Sequence, residues 1–328
     1  MTSGLIDSYG RAVEYLRLSV TDRCNLRCFY CMPDRYRCFS RKHNWLHPDE
    51  LIRLVAAFTA LGVSRLRLTG GEPLLRRDLA ALAGRLSQLP GLRDLSLSTN
   101  GLLLAKQAST LRRAGIARIN VSLDTLRSQR FTAITRGGHL GRVLDGLMEA
   151  QAAGYDSIKI NMLALKGIND DEFEDMLGFC VAHGFILRLI EPMPVGDPGR
   201  QGARHYLDLQ EVKERLSRTY RLTPSVLSGG GPARYYRIHG TSAHIGFISA
   251  MSRHFCQSCN RVRLSPQGTL YLCLGQDDRV DLAPLVRRGA SDAELKQAVL
   301  EAVARKPEGH EFCERPERII RFMSATGG

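Results

Sequence analysis

The stretch Tyr15–Pro33, YLRLSVTDRCNLRCFYCMP, runs from a β-rich apolar segment straight into three cysteines, Cys24, Cys28 and Cys31. Thiolates spaced CxxxCxxC reach three corners of one compact metal site, one fewer than a closed four-thiolate site uses. The free corner points to chemistry at the metal rather than to scaffolding. Strand-like segments of the same kind recur at Arg65–Thr69, Asp94–Ser98, Arg118–Leu123, Ser157–Leu163 and Ile186–Ile190, after the first at Tyr15–Val20. Amphipathic segments lie between them at about 49–61, 75–89, 104–114, 140–153 and 170–183. Such alternation predicts an α/β chain with a parallel sheet. Neither GxGxxG nor GxxxxGK[S/T] is present, which argues against a dinucleotide-binding fold or a P-loop NTPase. A full or partial barrel fits, its site at the C-terminal ends of the strands, where the cysteines follow the first strand.

At 328 residues the chain is long enough for one large domain with an appendage, or for two domains. Its formal charge of +13, from 46 Lys and Arg against 33 Asp and Glu, suits a nucleotide, a nucleic acid or a membrane surface, and equally a solvated Arg-rich face. The first residues, MTSGLIDSYGRAVEYLR, lack the apolar run of a secretory signal, and no apolar run reaches the roughly 18 residues of a membrane span. A soluble, cytoplasmic protein is expected, a setting in which nine cysteines favour metal over disulfides.

Beyond about residue 208 the pattern changes. Leu209–Thr219 reads as a helix leading into PSVLSGGGPAR, a linker punctuated by Gly and Pro. The short alternating runs YYRIHG, HIGFIS, RVRLS and TLYLCL resemble an antiparallel hairpin layer. The expected division is residues 1–222 as the barrel and 223–328 as a separate C-terminal module. That module has its own trio, Cys256 and Cys259 in FCQSCNRVRLS and Cys273 in LYLCLG. Read alone, it suits a structural zinc site, which His254 would complete, as well as an open cluster. Of the remaining cysteines, Cys180 lies in an apolar helical run and reads as a buried thiol, while Cys38 and Cys313 have no evident role.

With Tyr30 before the last cysteine and Gly70-Gly71-Glu72-Pro73 after the second strand, the chain resembles the radical S-adenosylmethionine enzymes. The resemblance narrows along the whole length. TDRCNLRCFYCMP, RLRLTGGEPLLR, LSTNG, INVSLDTL, KINMLALKGIND, IEPMPVG, FCQSCNRVRLSPQGTLYLCL, KPEGHEF and the terminal Gly327-Gly328 together are similar to the GTP 3′,8-cyclase family of molybdenum-cofactor biosynthesis.

The fold implied is a partial (βα)6-type, TIM-like barrel with a C-terminal iron–sulfur module. Carried over residue by residue, the resemblance has Cys24, Cys28 and Cys31 holding a 4Fe–4S cluster whose fourth iron chelates S-adenosylmethionine. Tyr30, Gly71, Glu72, Ser122 and Met193 would place that cofactor. Cys256, Cys259 and Cys273 would hold a second 4Fe–4S cluster facing the purine. GTP would be bound by Arg17, Arg67, Ser98, Lys159, Arg261, Val262 and Arg263, with Arg188 a further basic candidate; Ser98 stands where the family has Thr, and Thr99 is an alternative. Guanidinium forks suit phosphate oxygens, and Arg261 and Arg263, two apart on a strand, share one face. The adenosyl radical would take hydrogen from C3′ of GTP and the ribose radical would close on C8, giving 3′,8-cyclo-7,8-dihydro-GTP. Arg261, Arg263 and the Gly327-Gly328 tail are assigned to catalysis alongside the first trio. Implied partners are an external one-electron donor, a downstream cyclic pyranopterin monophosphate synthase and, possible from the family, a second copy of the chain. Two other readings stay open: radical chemistry on a peptide or RNA, and a module in which both trios hold structural zinc.

Overall fold

In the computed structural model, which describes residues 4–36, 39, 44–227 and 229–327, alternate residues of the strands separate into two sets. Six strands follow the expected order: β1 (Tyr15–Ser19), β2 (Arg65–Thr69), β3 (Asp94–Thr99), β4 (Arg118–Ser122), β5 (Ser157–Leu163) and β6 (Ile186–Ile190). Leu16 pairs in register with Leu66, Leu66 with Leu95, Leu97 with Ile119, and Ile160 with Leu187, and all of them are buried in one core. The intervening residues, Arg17, Arg67, Ser96, Asn120, Lys159 and Arg188 among them, occupy the other face. Side chains alternate across a strand, so apolar-under-helices on one side forces the polar set together on the other.

The covering helices are α1 (Pro48–Ala60), α2 (Leu79–Ser87), α3 (Ala108–Arg113), α4 (Ser128–Thr135), α5 (Leu140–Ala152) and α6 (Phe173–His183). In α1, Leu51, Leu54, Val55 and Phe58 recur at helical spacing and are completely buried. Helices α2 and α3 start later than the periodicity suggests, since Pro73–Leu75 forms a 3₁₀ turn and Gly101 takes a positive φ of 80°. Two helices lacked a readable signal, α4 and α7 (Gly196–Ala203, GDPGRQGA). The latter is rich in poor helix formers. Its glycines are there for packing: a Cβ on Gly202 would lie 2.7 Å from Tyr30 Cβ, and one on Gly199 2.8 Å from Met193 O.

After α8 (Leu209–Thr219) come β7 (Leu222–Ser225), β8 (Arg234–Ile238), β9 (His244–Ile248), β10 (Arg261–Leu264), β11 (Thr269–Tyr271) and β12 (Arg279–Asp281). The expected hairpin layer is instead an extension of the same sheet. Its order is β12-β11-β10-β1-β2-β3-β4-β5-β6-β9-β8-β7, with β10 parallel to β1 and β9 parallel to β6. The antiparallel pairs β7–β8, β8–β9, β10–β11 and β11–β12 do exist, but on the two flanks of the barrel strands. Alternation alone cannot tell a hairpin layer from strands that satisfy the open edges of an existing sheet. Strand β7 runs into the start of the expected linker, at Pro224 and Ser225.

Helices α9 (Ala283–Arg287) and α10 (Asp292–Ala304) complete the outer layer; Leu295, Val299 and Val303 of α10 join the core that holds Leu51 and Leu54 of α1. A capping box starts α10: Ser291 N donates to Glu294 Oε2 at 2.7 Å and Glu294 N returns to Ser291 Oγ at 3.3 Å. The chain then turns back into the barrel mouth, where Arg321 donates to the carbonyls of Cys273, Leu274 and Gln276, and the last turn, α11 (Met323–Thr326), packs against β1. No helix among the described residues is long and apolar enough to cross a membrane.

Candidate active site: two cysteine trios in one barrel

Cys24, Cys28 and Cys31 lie on the loop after β1, and all three line a cavity of about 220 Å³ at the C-terminal ends of β2 to β6. The amides of Cys31 and Met32 both donate to Cys28 O, at 2.9 and 3.1 Å, coiling the end of the loop so that the thiols share one side. Burial pushes Cys24 up to about 11, with the charge of Glu72 adding to it, and Cys31 up to about 12, with Cys24 adding to it. Cys28 is raised well above the usual thiol value by burial and then by Cys31 and Cys24. Thiols that raise one another in this way stay protonated until a cation arrives, as metal ligands do. No three His, Cys, Asp or Glu side chains among the described residues converge on a single-ion site. Three thiols on one side of a loop suit a cluster in which each thiolate has its own iron.

The GGEP turn locks onto this loop. Gly71 N donates to Thr21 O at 2.8 Å and Glu72 N to Arg23 O at 2.7 Å. A Cβ on Gly71 would stand 2.2 Å from Arg23 O, and one on Gly70, whose φ is +149°, 2.3 Å from Thr21 O. The glycines are therefore required by close approach of the cysteine loop itself. Gly71, Ser122 and Met193 all reach the cavity wall, as does Tyr30, whose hydroxyl donates to Asp124 Oδ2 at 2.5 Å. Glu72 does not reach it. Its carboxylate, fully buried and raised to about 7 by burial, accepts from Leu74 N, Thr99 Oγ1 and Asn100 N at 2.7 to 3.0 Å. In this structure the carboxylate instead ties the turn to β3, and Glu72 is not among the residues lining the cavity. Thr99 is occupied by that tie, which leaves Ser98, whose buried hydroxyl has no partner among the described residues; it faces this cavity and not the arginine-lined one.

A second cavity of about 150 Å³ adjoins the first and shares Asn161, Ile190, Met193 and Met323 with it. Cys256, Cys259 and Cys273 line it together with Arg17, Arg67, Arg188, Arg261 and Arg263. Sheet register explains the convergence: Arg263, Arg17 and Arg67 are consecutive Cα partners across β10, β1 and β2. Burial, then the charges of Arg263 and Arg67, disfavour the Arg17 cation. The Nε atoms of Arg17 and Arg261 are sealed from solvent with no partner among the described residues. Guanidinium keeps its proton in proteins, so these are donors left without an acceptor among the described residues. Although burial pushes Cys259 up, Lys306 and Arg261 bring it below the usual thiol value; burial raises Cys273.

Arg188 is held by Asn161 Oδ1 at 2.8 Å from its Nε and by Asn120. Lys159 lies beyond both cavity walls, its Nζ 3.4 Å from the Tyr235 hydroxyl. Val262, expected to contact GTP, pairs with Leu16 and packs its side chain into the apolar core on the face opposite Arg261 and Arg263, and it is still among the residues that line the arginine-lined cavity. Gly327 does enter the site. Its carbonyl and that of Thr326 accept from Arg263 Nη1, and its φ of +75° and a Cβ position 2.2 Å from Thr69 Cγ2 admit only glycine. Gly328 and Cys38 lie outside the described residues. Cys180 is buried in α6, as expected.

Residues that sequence reasoning missed include Tyr15, Asp124, Asn161 and Phe255. Burial pushes Tyr15 up, but Arg67, Arg17, Arg261 and Arg188 together bring it below its usual value. Arg67 lies over the Tyr15 ring and Arg261 over that of Phe255, 5.4 and 5.3 Å from the centroids. Parity would have found Tyr15 and Asn161, each two residues from an assigned cation on the same strand face. Asp124, raised to about 6 by burial, had no such signal.

Comparison with known proteins matches this architecture to a family along its full length. GTP 3′,8-cyclases from Paracoccus denitrificans and Caulobacter vibrioides are 46% and 48% identical over 99% of this chain and 96% and 94% of their own. That from Ectopseudomonas mendocina is 44% identical over 100% of this chain and 99% of its own. The chain belongs to the GTP 3′,8-cyclase family. As a GTP 3′,8-cyclase family member it matches the Radical SAM superfamily model over residues 18–180 and the Molybdenum Cofactor Synthesis C model over 185–312. Of solved structures, Streptococcus suis SuiB bound to S-adenosylmethionine shares the fold at a TM-score of 0.64 and 13% identity, covering 92% of this chain and 74% of that one. The α/β radical SAM barrel expected from the sequence is thus the fold observed, and membership of the family brings with it a 4Fe–4S cluster and S-adenosylmethionine.

Proposed function

We propose that this chain converts GTP to 3′,8-cyclo-7,8-dihydro-GTP with cleavage of S-adenosylmethionine, as a lyase at the first step of molybdenum-cofactor biosynthesis. One observation carries the substrate assignment: the row Arg263–Arg17–Arg67, with the unspent Arg17 and Arg261 donors, faces the second cysteine trio inside the barrel. A triphosphate supplies the anionic oxygens that such donors lack.

Cys24, Cys28 and Cys31 hold the first cluster, and Tyr30, Gly71, Ser122 and Met193 seat S-adenosylmethionine beside it. When bound, these groups supply the one-electron chemistry that removes a ribose hydrogen. Cys256, Cys259 and Cys273 hold a second 4Fe–4S cluster for the guanine. Arg17, Arg67, Arg261 and Arg263 grip the phosphates, and Lys159 and Arg188 add charge from β5 and β6. Fixing the nucleotide at both ends keeps C3′ within reach of the first cavity, a positioning effect rather than a chemical one. Residues 223–328 close the barrel over residues 1–222, and the Gly327 tail excludes water between the cavities. The chain works in the cytoplasm with an external one-electron donor, hands its product to a cyclic pyranopterin monophosphate synthase, and is compatible with a homodimer.

Anaerobic reconstitution tests the proposal. Roughly eight irons per chain are expected for two four-iron clusters. Addition of reductant, S-adenosylmethionine and GTP should give 5′-deoxyadenosine and a product of GTP mass. Cleavage that responds to a peptide or RNA but not to GTP would overturn it.

A further inference from the structure

Lys306 is 2% exposed, yet among the described residues its ammonium has two partners, neither a carboxylate: Cys259 Sγ at 3.5 Å and Leu272 O at 3.1 Å. One side chain thereby joins the two parts of the second trio, the Cys256–Cys259 turn and the strand end that carries Cys273. The turn is closed by Cys259 N donating to Cys256 O at 3.0 Å. Its position is held from outside by Arg11, whose guanidinium donates to Cys256 O at 2.8 Å and to Pro307 O and Glu308 O at 2.6 Å each. Asp7, 2.6 Å from Arg11 Nε, fixes that guanidinium in turn. The loop after α10 and the turn bearing two cysteines are therefore clamped by the same group, and Lys306 cannot drift from Cys259.

A buried ammonium needs a nearby negative charge. The thiolate set of an anionic cluster provides it. We propose that Lys306 is a positioning residue for the second cluster: it hydrogen-bonds the Cys259 thiolate, offsets the cluster's negative charge and raises its reduction potential. Hydrogen bonds to sulfur and local net charge are the levers by which a protein sets such potentials. Reduction adds a negative charge, so the ammonium favours the reduced state. The inference rests on the second-cluster assignment made above.

The test uses the full chain with Cys24, Cys28 and Cys31 changed to Ala, so that the second cluster is read alone. After anaerobic reconstitution, iron is counted and the midpoint potential is followed by EPR during reductive titration. In Lys306→Met the reduction equilibrium should fall at least about tenfold, a negative shift of ~59 mV for a one-electron couple, while Lys306→Arg stays near the parent. An unchanged midpoint in Lys306→Met at full iron content would overturn the role. If Lys306→Met loses its iron, retention in Lys306→Arg with parent-like circular dichroism supports the counter-ion, and equal loss in both removes it. A parent protein that takes up no iron defeats the second-cluster assignment itself and the inference with it.

Discussion

Arg17 and Arg263 are direct Cα partners on the parallel strands β1 and β10, so two guanidinium groups rise from one row of the sheet into one cavity. Neither finds a carboxylate there. Arg263 meets the carbonyls at the end of the chain, and the Nε of Arg17 meets nothing among the described residues.

Arg17→Met should consequently act in opposite directions on binding and stability. Loss of a charge-assisted contact of ~1.5–3 kcal/mol weakens GTP binding by roughly tenfold or more. Removing one of three neighbouring like charges raises the melting temperature of the ligand-free protein. Calorimetry and thermal denaturation read the two effects; a lower melting temperature would show that Arg17 is not strained without ligand.

In the proposed nucleotide site, Lys159 should link GTP binding to pH. Burial, then Arg188, Arg118 and Arg67, hold its amine at about 7, against an ordinary 10.5. Between those values the unfolded chain binds a proton that the folded chain does not. Its contribution to ligand-free stability accordingly rises with pH across that window and is flat below it. A triphosphate close by would restore the charge, giving net proton uptake on GTP binding near pH ~8. Titration calorimetry in buffers of different ionisation enthalpy measures it. Uptake that persists in Lys159→Met would mean that Lys159 serves only Tyr235.

Gly71→Ala should cost the first cluster alone. The new methyl would meet Arg23 O in the loop that carries Cys24, and backbone cannot yield as a side-chain tip can. Iron after reconstitution is expected to drop from roughly eight to roughly four per chain. Full iron content would show that the loop tolerates displacement.

Deleting Gly327 and Gly328 removes the Gly327 carbonyl that Arg263 holds beside the arginine-lined cavity. Product formation from GTP should fall by an order of magnitude, in line with the ~10-fold or larger cost of misplaced reacting groups. Uncoupled cleavage of S-adenosylmethionine should persist. Unchanged product yield would confine the tail to a structural role.

Much of this was legible in the sequence, because the signals are local. Tyr15–Ser19 through Ile186–Ile190 announced themselves by β-rich runs, and both cysteine trios by spacing. What escaped notice depends on distant partners. Helix α7 forms despite its glycines since they allow contact with Tyr30 and Met193. Glu72 looked like a cofactor ligand until Thr99 and Asn100 were found on its carboxylate. Val262 sits between two site arginines, and only strand parity with Leu16 sends it to the core.

By itself, then, the sequence determined the chemistry at hand: three thiols without a fourth, twice, and a barrel to display them. Tertiary structure decided that the two trios share one lumen. Their separation along the chain is more than 220 residues, and no local pattern encodes the parallel pairing of β10 with β1 and of β9 with β6 that brings the second trio and Arg263 beside Arg17. Backbone hydrogen bonds at the open edges of a six-stranded sheet made that choice, since each edge strand needs a partner and the C-terminal strands supply one on either side.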